Sequence, residues 1–340
     1  MVAEPPSAHV PVRALVTGGS GFIGSVLVRY LKKRGVYVAT VGRNPVATGD
    51  RHFDLPHLVD VAGFRDILGT LQPTMIYHLA GTVVGAEEEV WRSNVVFAET
   101  LLEVASYLEQ KPSLVLAGSA AEYGLVSPEQ LPVSEDLPCR PATFYARAKA
   151  RQTERALVYA GRGLPVVVAR LFNVVGPRMP SHLSLGRFMS EIRAMGPQGG
   201  TLRTGRLDAW RDFIAVEDVV AVLAALARPR APSDVIFNVC TGEATQLRKI
   251  VDLMIGACGK PVQVEVNARL GGVSSFDKII GNPARLQRLG LNLSRPDFAA
   301  IFRRAFANEK FEYVYEGCTV DLVSDTTSTR DQPGLGGEDA

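Results

Sequence analysis

Cysteine is scarce in this chain. Cys139, Cys240, Cys258 and Cys318 are the only 4 in 340 residues, widely separated and without a CxxC pair. That spacing excludes a zinc ribbon and a disulfide framework, predicts no metal site, and points to a reducing, cytoplasmic setting. No stretch approaches the roughly 18 apolar residues that a membrane-spanning helix needs. Met1 to His9 holds prolines and a glutamate rather than a basic start leading into an apolar run, so neither secretion nor membrane insertion is expected. An excess of one charge sign is missing too: 37 Lys and Arg against 35 Asp and Glu give a formal net charge of +2. With the signs well mixed, nucleic acid and membrane surfaces are not expected partners.

What the chain does have is apolar residues, 46% of the total, enough for a core without covalent staples. Val12–Thr17 reads as a short buried strand, followed by Gly18-Gly19-Ser20-Gly21-Phe22-Ile23-Gly24 and a helix through Leu31. Further buried strands are expected at Val36–Val41, Met75–Ala80, Leu114–Ala117 and Leu164–Arg170, with helices at Glu87–Gln110 and Ala142–Gly161 between them. Strand and helix alternating in this way predict an α/β fold of Rossmann type, a doubly wound parallel sheet with ligands at the carboxyl ends of its strands. After Gly176-Pro177-Arg178-Met179-Pro180 the texture changes. A helix is expected around Phe188–Met195, strand then helix over Phe213–Leu226, a strand over Asp234–Cys240 and a helix over Leu247–Ala257. The expected division is a dinucleotide-binding core over 10–175 and a smaller, interleaved C-terminal α/β lobe for substrate over 176–312, with 211–240 returning to the core. An extension over 313–340 is expected to end in a disordered tail.

Gly18, Gly21 and Gly24 sit between an apolar strand and a helix, the context in which glycine spacing carries meaning. The first permits a tight turn, the second lets backbone approach a pyrophosphate, and the third allows close packing of helix on strand. Phe22 and Ile23 then open the helix whose N-terminus faces the ligand. The second strand ends in Gly42-Arg43-Asn44, where an acidic residue would accept from the 2'-hydroxyl of NAD. Arg43 in its place favours the 2'-phosphate of NADP, with NAD as the alternative. A solvated surface arginine is the competing reading.

Tyr145 and Lys149 are four residues apart on an expected helix, so both side chains enter the same space. A phenol titrates near pH 10, and a neighbouring ammonium favours its phenolate, which suits acid–base work at neutral pH. Ser119 lies just past a buried strand, where a hydroxyl can meet a carbonyl oxygen above the sheet, or simply cap a turn. Each signal is weak by itself. Their order along the chain is selective.

With these residues in place the chain resembles the extended short-chain dehydrogenase/reductase family, in its nucleotide-sugar epimerase, dehydratase and reductase branch. The resemblance covers Arg13 to Phe311. It rests on the glycine loop, Asp54-Leu55, His78-Leu79-Ala80-Gly81, Asn94, Ser119 to Gly124, Tyr145 with Lys149, Arg170 to Pro177, and Arg211-Asp212-Phe213-Ile214 leading to Glu217-Asp218-Val219. It implies a catalytic set of Ser119, Tyr145, Lys149 and Asn94, with Tyr145 and Lys149 also binding the cofactor and Lys149 holding the nicotinamide ribose. It also implies adenine contact at Asp54, a cofactor contact at Leu55, and passage of the chain from His78 through Leu79 and Ala80 to Gly81 beside the cofactor. Substrate contacts are implied at Thr82, Ser119, Asn173, Arg178 and Arg211, as is a homodimer formed through the helices at 87–110 and 142–161. Without the resemblance, Asn173 reads as a turn-stabilising residue and Arg211 as a partner of Asp212 or Asp218.

Sugar 4,6-dehydratases of this family carry acidic residues just after the strand-end hydroxyl. Ala120 and Ala121 stand there in this chain, so dehydration is not expected. Glu122-Tyr123-Gly124 and Gly205 to Phe213 instead resemble GDP-4-keto-6-deoxy-mannose reductases. The expected activity is NADPH-dependent reduction of an NDP-4-keto-6-deoxyhexose. Nucleotide-sugar epimerisation is the alternative, and a non-catalytic cofactor-binding protein is a weaker one. One departure stands out: Ala268-Arg269-Leu270 is followed by Gly271-Gly272 where the branch has a second basic residue. Either Arg269 replaces it as a substrate contact, or the substrate is a non-sugar ketone such as a polyketide or an aglycone.

Overall fold

The computed structural model describes residues 12–55, 60–228, 234–267 and 278–307. Seven parallel strands form the main sheet: β1 Arg13–Thr17, β2 Tyr37–Gly42, β3 Arg51–Asp54, β4 Met75–His78, β5 Ser113–Ser119, β6 Val166–Leu171 and β10 Ile236–Val239. Their spatial order is β10-β6-β5-β4-β1-β2-β3. The chain therefore reverses direction of winding between β1 and β4, and a crevice opens beyond the carboxyl ends of those strands. The strands read as almost continuous apolar runs because both faces are covered. On one face α1 (Phe22–Lys32) and α7 (Val216–Leu226) pack through Val26, Leu27, Tyr30, Val220 and Leu223. On the other, α2 (Val61–Leu71), α4 (Phe97–Ser106) and α5 (Phe144–Gly161) pack through Phe64, Leu68, Leu101 and Ala156.

The expected fold class is observed, and the C-terminal part interleaves with the sheet. β7 (Asn173–Val175), β9 (Trp210–Ala215), β11 (Ala244–Gln246) and β13 (Lys278–Ile279) form a second sheet built around β9. β8 (Gly200–Thr204) pairs with β12 (Val262–Val266), and α6 (Ser184–Ala194), α8 (Leu247–Cys258) and α10 (Phe298–Phe306) close a separate core around Met189, Ile250 and Phe302. The short α9 (Ala284–Gln287) lies between. Within 211–240, α7 and β10 pack on the main sheet while β9 belongs to the second one.

The continuous helix expected over Glu87–Gln110 is corrected. It comprises α3 (Glu87–Trp91), one π turn over Arg92–Val96 and α4, ending at Ser106. The cause is Asn94, whose amide Nδ2 donates to Val90 O at 2.9 Å and to Thr82 O at 2.8 Å. A side chain bonded to carbonyls of its own helix and of the preceding loop competes with the regular ladder and widens that turn. Strand β4 stops at His78 rather than Ala80 because Leu79 and Ala80 bend around the glycine loop. A Cβ on Gly18 would lie 2.7 Å from Ala80 N, and its φ of +68° favours glycine on its own account. Among the described residues, no helix is long and apolar enough to cross a membrane. Arg269, the Gly271-Gly272 departure and the 313–340 extension lie outside the described residues.

Candidate active site

A cavity of about 670 Å³ occupies the crevice between β1 and β4. Gly18 to Gly21 form its floor, Gly42, Arg43 and Asn44 one wall, Leu79 to Thr82 the opposite one, and Glu88, Glu89 and Arg92 its rim. The N-terminus of α1 points here with Gly21 as N-cap, no capping side chain and no acidic residue in its first turn. Its unsatisfied N–H groups and partial positive charge suit a pyrophosphate. Gly24 has its expected packing role, since a Cβ there would overlap the carbonyl oxygen of Gly18. The Phe22 and Ile23 side chains pack into the core instead, with Phe22 against Gly176 where the lobe begins.

Arg43 is exposed and lines the cavity next to Thr40, Val41 and Gly42. Asp54 ends β3 opposite Gly42 and is exposed, whereas Leu55 is buried under α2, and neither lines the cavity. Thr82 does line it, with its hydroxyl donating to Val84 O at 2.7 Å.

Ser119, Tyr145 and Lys149 come together at the carboxyl end of β5. Burial pushes the Tyr145 phenol up to about 12 and the negative charge of Glu122 pushes the same way, while the neighbouring Ser119 hydroxyl opposes them. Ser119 also fulfils the humbler reading, since its Oγ accepts from Ala121 N at 3.2 Å and caps a short 3₁₀ turn over Ala120–Tyr123. Lys149 is buried and donates to Ala117 O at 2.8 Å and Gln152 Oε1 at 3.0 Å. Burial lowers its ammonium to about 8, partly offset by Glu122. Asn94 is fully buried with Oδ1 unpaired. A Cβ on Gly81 would overlap that oxygen and lie 3.6 Å from Lys149 Nζ, so Gly81 marks where the two side chains converge.

The remaining candidates lie toward the lobe. Asn173 donates to Asp212 O at 2.9 Å and thereby ties β7 to β9, which is the structural role considered for it. The Asp212 carboxylate is occupied by Thr241, Gly242 and Gly281, and Arg211 Nη1 donates to Trp210 O at 2.8 Å. Arg178 is exposed on the loop after β7.

Sequence reasoning passed over the role of His78. Thr17 Oγ1 accepts from Ala80 N at 3.2 Å and is hydrogen-bonded to His78 Nδ1 at 2.9 Å, while His78 Nε2 is buried without a partner. Burial, and then the charge of Lys149, lowers the imidazole to about 3 from an ordinary 6.5. Between these values the unfolded chain binds a proton that the folded one refuses, so stability falls as pH drops. The expected loss is about 1.4 kcal/mol per pH unit below 6.5. Urea unfolding at several pH values should show that slope reduced in His78→Gln, and an unaltered slope would contradict the assignment.

The model of the family described as "NAD dependent epimerase/dehydratase family" matches residues 14–240. The chain belongs to that family. A dTDP-6-deoxy-L-talose 4-dehydrogenase (NAD(P)(+)) of Kitasatospora kifunensis is 34% identical over 264 residues, 75% of this chain and 81% of that protein. A UDP-glucose 4-epimerase of Corynebacterium glutamicum is 27% identical over 87% of this chain and 95% of its own. Among solved structures, the UDP-glucose 4-epimerase of Thermus thermophilus in complex with NAD is 28% identical, with a TM-score of 0.73, over 87% of this chain and 99% of its own. Family membership makes the protein an NAD(P)-dependent oxidoreductase of the extended short-chain dehydrogenase/reductase type. Its residues fit the cofactor: an uncapped helix N-terminus and a glycine loop too tight for any Cβ at Gly18 or Gly24 face a cavity of about 670 Å³.

Proposed function

We propose that the protein acts at C4 of a nucleotide-linked hexose and inverts that carbon by oxidising and re-reducing it in place. The observation that carries this reading is the meeting of Ser119, Tyr145 and Lys149 at the end of β5, beside a cavity fitted to a dinucleotide. Both 4-epimerases and a 4-dehydrogenase among its relatives support C4 as the reacting position. A nicotinamide cofactor, when bound, would supply the hydride exchange; inversion requires that the 4-keto sugar present its opposite face before the hydride is returned. Ser119 orients the C4 oxygen, and Tyr145 takes its proton in the oxidising direction and gives it back in the reducing one. Lys149 spends two of its three N–H donors on Ala117 and Gln152, which leaves the third for the cofactor ribose. Asn94 holds the π turn and with it the wall of the cavity at Thr82. Ala120 and Ala121 supply no acid or base for elimination of water.

Net 4-ketoreduction of an NDP-4-keto-6-deoxyhexose, the chemistry of GDP-4-keto-6-deoxy-mannose reductases, is the second reading. Arg43 favours it, because a guanidinium in the cavity wall suits the 2'-phosphate of NADP, whose cellular pool is a reductant. Purified protein incubated with UDP-glucose, UDP-galactose, dTDP- and GDP-linked hexoses and a panel of NDP-4-keto-6-deoxyhexoses should interconvert C4 epimers of the hexoses without consuming added cofactor or incorporating solvent deuterium, and should leave the 4-keto sugars unreduced. A requirement for stoichiometric NADPH with a two-dalton gain establishes the second reading, and inertness toward every sugar overturns both. Arg43→Ala should weaken NADP about tenfold or more and NAD little, as loss of one charge-assisted contact predicts. Equal losses in titrations with the two cofactors would refute the role of Arg43.

A further inference from the structure

The carboxylate of Glu122 plays no part in the chemistry above, yet it is fully buried and joins three elements. Its Oε1 accepts the Ser119 backbone N–H at 2.8 Å, while Oε2 accepts Thr153 Oγ1 and Arg170 Nε, each at 2.9 Å. Ser119 ends β5, Thr153 stands one turn beyond Lys149 on α5, and Arg170 belongs to β6. Gly118 makes room for the group, since a Cβ there would lie 2.8 Å from Oε1. Arg170 is fixed in turn over the Tyr123 ring, 4.7 Å from its centroid, and donates to Cys139 Sγ at 3.1 Å. Buried ion pairs add little stability over apolar pairs of the same volume, so stability alone explains this one poorly.

We propose, resting on the assignment of Ser119, Tyr145 and Lys149 to the chemistry, that Glu122 is a positioning residue that clamps β5 to α5, brings the Ser119 and Tyr145 hydroxyls into register, and supplies the negative charge that acts on the Lys149 ammonium. The titratable groups around Lys149 are His78 from β4, Glu122 from the 3₁₀ turn and Tyr145 from its own helix, with Arg170 behind Glu122. Of these, Glu122 is the one that favours the ammonium, opposing the burial that lowers it to about 8. Without Glu122, Lys149 loses its proton at lower pH, and the alkaline limb of turnover moves down with it.

The test compares the wild type with Glu122→Gln, with the double variant Glu122→Gln/Arg170→Met, and with Thr153→Val. The double variant removes both buried charges together and so avoids stranding Arg170. In both Glu122 variants kcat should fall about tenfold or more, with the cofactor KM nearly unchanged and the alkaline limb lowered by about one pH unit. Thr153→Val cuts only the tether to α5, so it should lower kcat and leave the limb in place. A folded double variant with wild-type kcat and limb overturns the proposal. Tyr145→Phe serves as the control: if it turns over normally, the parent assignment has failed, whereas an inactive Tyr145→Phe beside a normal double variant condemns Glu122 alone. The Lys149 titration, followed by NMR on 13Cε-labelled lysine and assigned with Lys149→Met, needs no substrate. An unmoved Lys149 titration in the double variant overturns the proposal equally.

Discussion

Tyr145→Phe should reduce turnover by about a hundredfold to ten-thousandfold, the range for removal of a general acid–base group, while the cofactor dissociation constant stays near that of the wild type. The two effects separate because Tyr145 lies outside the cavity that holds the glycine loop and Arg43. With its phenol raised to about 12, Tyr145 is protonated at neutral pH in the free protein and stands ready to donate. Oxidation of an alcohol asks the reverse, so positive charge must arrive beside the ring; Lys149 supplies part of it while its ammonium, lowered to about 8, keeps its proton. Phenylalanine keeps the ring and its packing but removes the phenol next to Ser119. The effect therefore belongs in kcat, measured at saturating sugar with cofactor binding followed by nicotinamide fluorescence. Turnover within a few-fold of wild type would remove Tyr145 from the chemistry and leave Ser119 without a proton to relay.

The parts legible in the sequence were those whose signal is local. Strands β1, β2, β4, β5 and β6 are runs of apolar residues bounded by turns, and they were placed within one or two residues because burial on both faces demands such runs. Strand β3, Arg-His-Phe-Asp, escaped because it sits at the sheet edge with one apolar residue, and α2 escaped with it. The π turn at Asn94 was invisible, since it depends on a bond to Thr82, a loop residue outside the helix. The Glu122–Arg170 pair was equally hidden: its members are 48 residues apart, and each alone reads as a fragment of a motif. His78 shows the same limit, for its neutral state follows from burial beside Lys149, which no spacing along the chain reveals.

Substitution at Gly24 should weaken cofactor binding more than loss of the Arg43 charge does. In Gly24→Ala the new Cβ would overlap Gly18 O and lie 2.8 Å from Gly18 C and 2.9 Å from Gly19 Cα, all of them backbone atoms with no rotamer to yield. Either the glycine loop or α1 must move. The helix is pinned by Val26, Leu27, Val28, Tyr30 and Leu31, each fully buried, so overpacking of about 1–3 kcal/mol falls on the contact itself and displaces the loop. A loop displaced from the first turn of α1 no longer presents its N–H groups to a pyrophosphate. Cofactor affinity should then fall by about a hundredfold for Ala and further for Val, which is about 2.7 kcal/mol for the smaller change. Gly69→Ala in α2 is the contrast, because a Cβ there meets nothing within 4 Å. Replacing a helical glycine in open space should stabilise the protein by about 0.5–1 kcal/mol and leave cofactor affinity alone. Thermal unfolding and fluorescence titration of the two variants separate a general helix effect from a failure of the pyrophosphate seat. Wild-type affinity in Gly24→Ala would mean that the loop does not seat the pyrophosphate, whatever its spacing suggests.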